Sequence, residues 1–137
     1  MPQFTVTKTR ENILSRFPDY KVEITQVDEE VTISCRGVIV ARSSKSLLVK
    51  ETRHADVYYL PREDVDMSLF TATELSTYCP FKGNASYWTL KAEGGVEENV
   101  VWSYEDPCDE VMALKNTMSF YTDRSDLSVS ISKSHRG

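Results

Sequence analysis

The stretch Tyr78-Cys79-Pro80-Phe81-Lys82-Gly83-Asn84-Ala85-Ser86-Tyr87-Trp88 brings a thiol, an ammonium, a glycine and several aromatic rings together along a short length of chain. A cation close to a thiol lowers its pKa, so Cys79 with Lys82 three positions on is a candidate nucleophile. No histidine adjoins it to act as base, and the simpler reading is a buried cysteine behaving as a small hydrophobe beside a solvated lysine. Lys82 also has a second use. With the Gly83 amide, where a missing side chain lets the backbone approach a ligand, it forms a candidate anion site. Arg42 and Arg62 are its candidate partners, each able to offer a bidentate fork to a carboxylate or phosphate if their strand ends converge with Lys82. Taken singly, each is more commonly a solvated surface charge. Glu51 is the carboxylate best suited to general-base work or to pairing an arginine, and an ion pair with Arg42 is the plainer version.

Tyr58, Tyr59, Tyr87, Trp88, Trp102, Tyr104, Phe120 and Tyr121 supply more aromatic surface than short strands need on exposed faces. About half should be core packing. Tyr58, Tyr87, Trp88, Trp102 and Tyr104 are the candidate pocket walls, where a hydroxyl or indole N–H can meet a polar group. His54 in a polar loop and His135 in the tail are the only histidines, and neither reads as a catalytic base or metal ligand. Cys35, Cys79 and Cys108 are odd in number and lack a CxxC spacing, which argues against a disulfide framework and a structural zinc site. The acidic run from Glu93 to Glu110 lacks the ordered spacing of a calcium loop. No metal is expected, and no cofactor is indicated.

The net charge of −5 opposes nucleic-acid binding, which depends on neutralising phosphates. No apolar run approaches the roughly 18 residues of a membrane helix, and the start lacks a basic, apolar leader, so a cytoplasmic protein without membrane contact is expected.

The elements that must position these groups are mostly strands. The 137 residues suit one domain: a helical extension over 1–19, a β-rich body over 20–131 and a flexible tail over 132–137. Ile13, Leu14 and Phe17 put an amphipathic helix over Thr9 to Phe17. From Tyr20 the period becomes two, through Val22 and Ile24 and then Val31, Ile33 and Cys35. A tight turn at Arg36-Gly37 predicts a hairpin into Val38–Ala41, and strands at Leu47–Lys50 and Val57–Leu60 extend this as a meander. Asp64 to Leu75 has no sustained period and reads as a turn-rich connection with a helical turn near Thr73-Glu74. Ala85–Ala92 and Asn99–Tyr104 form a hairpin across Glu93-Gly94-Gly95. Asp106 before Pro107 predicts an N-cap and a short helix to about Lys115, ended by Asn116. Met118–Tyr121 and Leu127–Ile131 are the closing strands.

Several of these residues also carry a family pattern. Arg42-Ser43, Glu51, Tyr58-Tyr59-Leu60-Pro61-Arg62-Glu63-Asp64-Val65, Tyr78-Cys79-Pro80-Phe81-Lys82-Gly83, Ala85-Ser86-Tyr87-Trp88, Trp102-Ser103-Tyr104 with Pro107, and Phe120-Tyr121 resemble, in order and spacing, the bacterial family known as domain of unknown function 427. The match runs from about Tyr20 to Asp123. The helical start, Cys35 and Cys108 fall outside its motifs. The resemblance implies a β-tent fold of antiparallel sheets, like that of methionine-R-sulfoxide reductases and the translationally controlled tumour protein. A nucleotidyltransferase label also attaches to the family. Such a site needs carboxylates to hold magnesium and a cradle for phosphates, whereas here Asp64 and Asp66 have the spacing without a Gly-rich loop.

Three uses are therefore open. The first is a pocket for a small anionic or nucleotide-like ligand, bound by Lys82 with Arg42 or Arg62 against aromatic walls. The second is an aromatic surface for a protein partner or a homo-oligomer, without chemistry. The third is a thiol-dependent enzyme using Cys79.

Overall fold

Val31, Ile33 and Cys35 are buried while Thr32 and Ser34 between them are not, and this alternation makes a sheet with one face in the core. The computed structural model describes residues 19–92, 94–122 and 126–132. The helix expected over Thr9 to Phe17 and the tail beyond Ser132 lie outside the described residues. The strands in chain order are β1 (Val22–Gln26), β2 (Glu30–Cys35), β3 (Val38–Ser43), β4 (Leu47–Glu51), β5 (Val57–Pro61), β6 (Phe70–Cys79), β7 (Gly83–Ala92), β8 (Gly95–Ser103), β9 (Thr117–Phe120) and β10 (Leu127–Ser132). The fold is mostly β, with every strand pairing antiparallel, as the sequence predicts. No helix among the described residues is long and apolar enough to cross a membrane.

The strands make two sheets, of orders β1-β4-β5-β9-β8-β7-β6 and β10-β2-β3. The expected hairpin between β2 and β3 is present, turning through Arg36 at φ 50° and Gly37 at φ 87°. Two successive positive φ values match the twist of the flanking strands. The meander is not what forms. β1 skips the hairpin to pair with β4, and β2 takes β10 as its other neighbour, Cys35 opposite Leu127 and Glu30 opposite Ser132. A period of two says which face of a strand is buried and nothing about which strand lies beside it. Arg36 ties the small sheet to the large one, its Nη1 reaching Glu97 at 2.6 Å and Asp126 at 2.9 Å while Nη2 donates to the Ala92 carbonyl at 2.7 Å.

Two further expectations are corrected. Past short 3-10 turns at Arg62–Asp64 and Met67–Leu69, the supposed connection to Leu75 becomes the long edge strand β6, so Thr73-Glu74 is extended, not helical. Both faces of β6 are largely exposed, which erases the alternation that would have marked it. The helix from Pro107 is only a 3-10 segment, Asp109–Leu114, broken by non-helical geometry at Val111, and no side chain caps it. Cys108 is extended, at φ −59° and ψ 152°, where its N–H donates to the Lys82 carbonyl at 2.9 Å, and at the other end the Asn116 N–H donates to the Tyr104 carbonyl at 3.3 Å and not back into a helix. Asn116 does end the segment, at φ 61°. The hairpin from β7 to β8 forms as expected, with Gly94 at φ 73°.

Hydrophobic packing divides into a main core around Leu60, Leu90, Val101 and Met118 and a second cluster around Val49, Tyr59, Tyr104 and Leu114. The second cluster borders the cavity described next.

Candidate functional site

β6 and β7 are joined by the turn Pro80-Phe81-Lys82, closed by the Lys82 N–H donating to the Cys79 carbonyl at 3.1 Å. Gly83 follows at φ 114°, a conformation that L side chains rarely adopt. A Cβ there would stand 3.4 Å from the Asp106 carbonyl oxygen and from Pro107 Cα, so the glycine lets the turn lie against residues 106–108. The Cys108 bond to the Lys82 carbonyl holds it there. Gly83 therefore shapes the turn and does not line a cavity.

Lys82 is buried in consequence, and its ammonium forms an ion pair with Glu51 at the end of β4. Their side chains are 8% and 9% exposed. The other Glu51 oxygen accepts a hydrogen bond from the Tyr20 hydroxyl, and the Tyr20 ring stacks on Phe81 with centroids 4.0 Å apart. Both carboxylate oxygens are thus engaged, and the charge of Lys82 is matched inside the protein.

This pair stands on the wall of a cavity of about 820 Å³. The volume lies in the range of small-molecule sites, about 300–1,000 Å³. Residues of β4, β5, β7 and β8 wall it together with the loop 54–56, the turn at Phe81-Lys82, and Ile33 and Val129 of the small sheet. Tyr59 and Tyr104 form one aromatic wall, centroids 6.4 Å apart. Trp102 meets Tyr59 edge to face, its Nε1–H donating to the Tyr59 hydroxyl at 3.1 Å. The Tyr87 hydroxyl shares a hydrogen bond of 2.8 Å with Thr77. Tyr59 and Tyr104 are 2% and 6% exposed. Burial pushes both phenols well above the ordinary tyrosine pKa, with the Glu51 carboxylate adding to the effect and the Trp102 bond only partly offsetting it at Tyr59. Both rings therefore stay neutral hydrogen-bond donors across the physiological range.

A family model described as domain of unknown function (DUF427) matches residues 23–131. The chain belongs to the DUF427 family. A comparison with curated proteins finds no match. The matched span of this DUF427 chain runs from within β1 to within β10 and contains Glu51, Tyr59, Cys79, Lys82 and Tyr104, while Tyr20 lies just before it.

Of the residues singled out in the sequence, Glu51, Tyr58, Cys79, Lys82, Tyr87, Trp102 and Tyr104 come together on the cavity wall of the DUF427 chain. The three cations do not converge. Arg42 lies on β3 in the small sheet, 53% exposed, with its Nε 3.8 Å from Glu30. Arg62 lies over the Trp88 ring at 5.0 Å and donates to Ser103 at 3.3 Å and Glu105 at 3.4 Å. Trp88 itself packs into the main core. Glu51 pairs with Lys82 and not with Arg42, because β3 and β4 separate into different sheets. Asp66 caps the turn at Met67–Leu69 through Ser68, and neither it nor Asp64 borders the cavity. Tyr20, Tyr59, Phe81, Phe120 and Tyr121 border the cavity without being among the candidate walls named from the sequence, and so does His54, which the sequence reading sets aside. For Tyr59 the signal was present, since alternation sends Tyr58 and Tyr59 to opposite faces and only the face was unknown.

Cys79 is half-buried on the cavity wall, whereas Cys35 and Cys108 are buried. Burial also pushes the Cys35 thiol up, which further slows its reaction. Alkylation of the native protein near neutral pH should therefore label Cys79 alone, the other two reacting after denaturation. Peptide mass spectrometry of the labelled protein checks this, and early label on Cys108 would contradict the packing described for it.

Proposed function

We propose that this DUF427 protein binds a small molecule in the cavity, with a planar, largely apolar body against the tyrosine and tryptophan walls and a polar end toward Lys82 and Glu51. The observation that carries the reading is the ion pair buried on the wall of a cavity of ligand size. A buried pair adds little to stability, so its placement beside an open volume points to recognition. With Lys82 already matched by Glu51 and both arginines elsewhere, the electrostatics disfavour a multiply charged phosphate, and nucleotidyl transfer gains no support from them.

The test is thermal unfolding against nucleotides, sugar phosphates, aromatic carboxylates and neutral aromatic carbonyl compounds. A ligand at about 100 times its Kd adds roughly 2.7 kcal/mol, a shift of several degrees for a domain of this size. A bound ligand should also shield Cys79 from alkylation. If no class shifts the melting point or shields Cys79, the reading fails in favour of protein contact at the edge strand β6, where Leu75 and Tyr78 are exposed.

A further inference from the structure

Two of the hydroxyls on the cavity wall have donor protons that no described residue accepts. The Tyr104 hydroxyl has no hydrogen-bond partner among the described residues, although the residue is 6% exposed and lines the cavity. The Tyr59 hydroxyl accepts from Trp102 and donates to no described group. Nor do the two hydroxyls bond each other, although their rings are neighbours at 6.4 Å. Trp102 occupies a lone pair of Tyr59, which leaves the Tyr59 proton free to turn elsewhere and polarises the O–H toward donation. Neither hydroxyl is a sealed, unsatisfied polar atom, since Tyr59 is bonded by Trp102 and both residues border the cavity, so their protons are available there to an acceptor supplied from outside.

Charge decides what kind of acceptor that is. The Glu51 carboxylate is near both phenols and is neutralised by Lys82. Asp56 also borders the cavity, but it is 54% exposed and paired with Lys50 at 3.9 Å, so it adds little to the balance. An anionic ligand beside the buried Lys82–Glu51 pair would leave a net negative charge there, whereas a neutral oxygen would not. Resting on the pocket reading above, we infer that Tyr59 and Tyr104 together hold the carbonyl-type oxygen of a neutral, planar ligand. The two phenols, which lie near Glu51, donate to that oxygen at the polar end of the ligand while Trp102 fixes Tyr59 in place, and the apolar body extends along the aromatic walls away from the Glu51–Lys82 pair.

The experiment compares 2-acetylnaphthalene with 2-isopropenylnaphthalene, which share shape and ring and differ in having an oxygen or a methylene at the same point. Binding to the full chain is followed by Trp fluorescence and by protection of Cys79 from alkylation. The ketone should bind at least about tenfold more tightly than the alkene, because the alkene leaves both phenols unpaired. Tyr59→Phe and Tyr104→Phe should each weaken the ketone by about tenfold and leave the alkene nearly unchanged. In the unsubstituted protein the carbonyl stretch of carbon-13-labelled ketone should move to lower wavenumber on binding, a readout that does not depend on any variant folding. If the ketone shields Cys79 but shows neither preference over the alkene nor a shifted stretch, the phenol site is overturned and the pocket reading stands. The phenol site is likewise overturned, with the pocket kept, if the ketone fails to bind while another ligand class shields Cys79. If nothing shields Cys79, both readings fall.

Discussion

Lys82→Met lowers the unfolding free energy by about 3–5 kcal/mol, and adding Glu51→Leu returns stability to within about 1 kcal/mol of the parent or above it. The single change leaves the Glu51 carboxylate, 9% exposed, with only the Tyr20 hydroxyl among the described residues to offset its desolvation. The double change removes both charges from a site walled by Val49, Tyr59 and Tyr104, where apolar groups are well accommodated. Tyr20 is only half-buried, so its hydroxyl can turn to solvent when Glu51 is gone. Urea unfolding checks this, the midpoint moving while the denaturant slope stays constant. A cost for Lys82→Met below about 1 kcal/mol would mean that water screens the pair, and the cavity wall would then be wetter than its burial indicates. Because the double variant is expected to be stable and to bind ligand poorly, it also separates the pair's role in recognition from any role in folding.

Between about pH 10 and 12 the protein loses stability at about 1.4 kcal/mol per pH unit for each of Tyr59 and Tyr104. In the unfolded chain these phenols ionise near the ordinary value of about 10. In the fold both are held well above it by burial. Above about pH 10 the unfolded state therefore binds fewer protons than the native one, and stability falls as pH rises; at lower pH both states are protonated and the contribution is complete. Tyr58 is raised in the same direction by burial and by Glu29 and Asp56, but it is half-buried and contributes less. Tyr59→Phe and Tyr104→Phe should each flatten the alkaline slope, and the double variant should lose most of it. Urea midpoints at closely spaced pH values give the slopes. An unchanged slope in the double variant would place these hydroxyls in contact with water.

The same residues show why part of the site was legible and part was not. Cys79, Lys82, Tyr87, Trp102 and Tyr104 stand out because the chemistry of a side chain belongs to the residue and can be read without knowing its neighbours. Glu51 stands out as the one carboxylate of β4, following the apolar Leu47-Leu48-Val49 and Lys50. The grouping of Lys82 with Arg42 and Arg62 does not survive, because convergence depends on strand order. β3 leaves with β2 and β10 to form the small sheet, which takes Arg42 away from β4, and Arg62 turns onto Trp88. Tyr20 precedes the first strand, so no local pattern indicates that its hydroxyl reaches Glu51.

By itself the sequence determined the mostly β class, the hairpin at Arg36-Gly37, the hairpin across Gly94, the stop at Asn116 and the family, because periodicity, turn residues and motif spacing are local properties. The tertiary structure alone decided that β1 pairs with β4 and β2 with β10, that Pro107–Lys115 forms only a 3-10 segment, and that β6 is a strand. Pairings across long stretches of chain follow from mutual burial of whole faces, and the contact with the Lys82 carbonyl holds Cys108 extended, so the 3-10 segment starts only at Asp109. The edge strand β6 has too little buried surface to write a period of two into its residues. The partner of Lys82 was decided the same way: a lysine in a turn is ordinarily solvated, and this one is buried because Gly83 lets the turn fold against residues 106–108 and Glu51 is there to meet it.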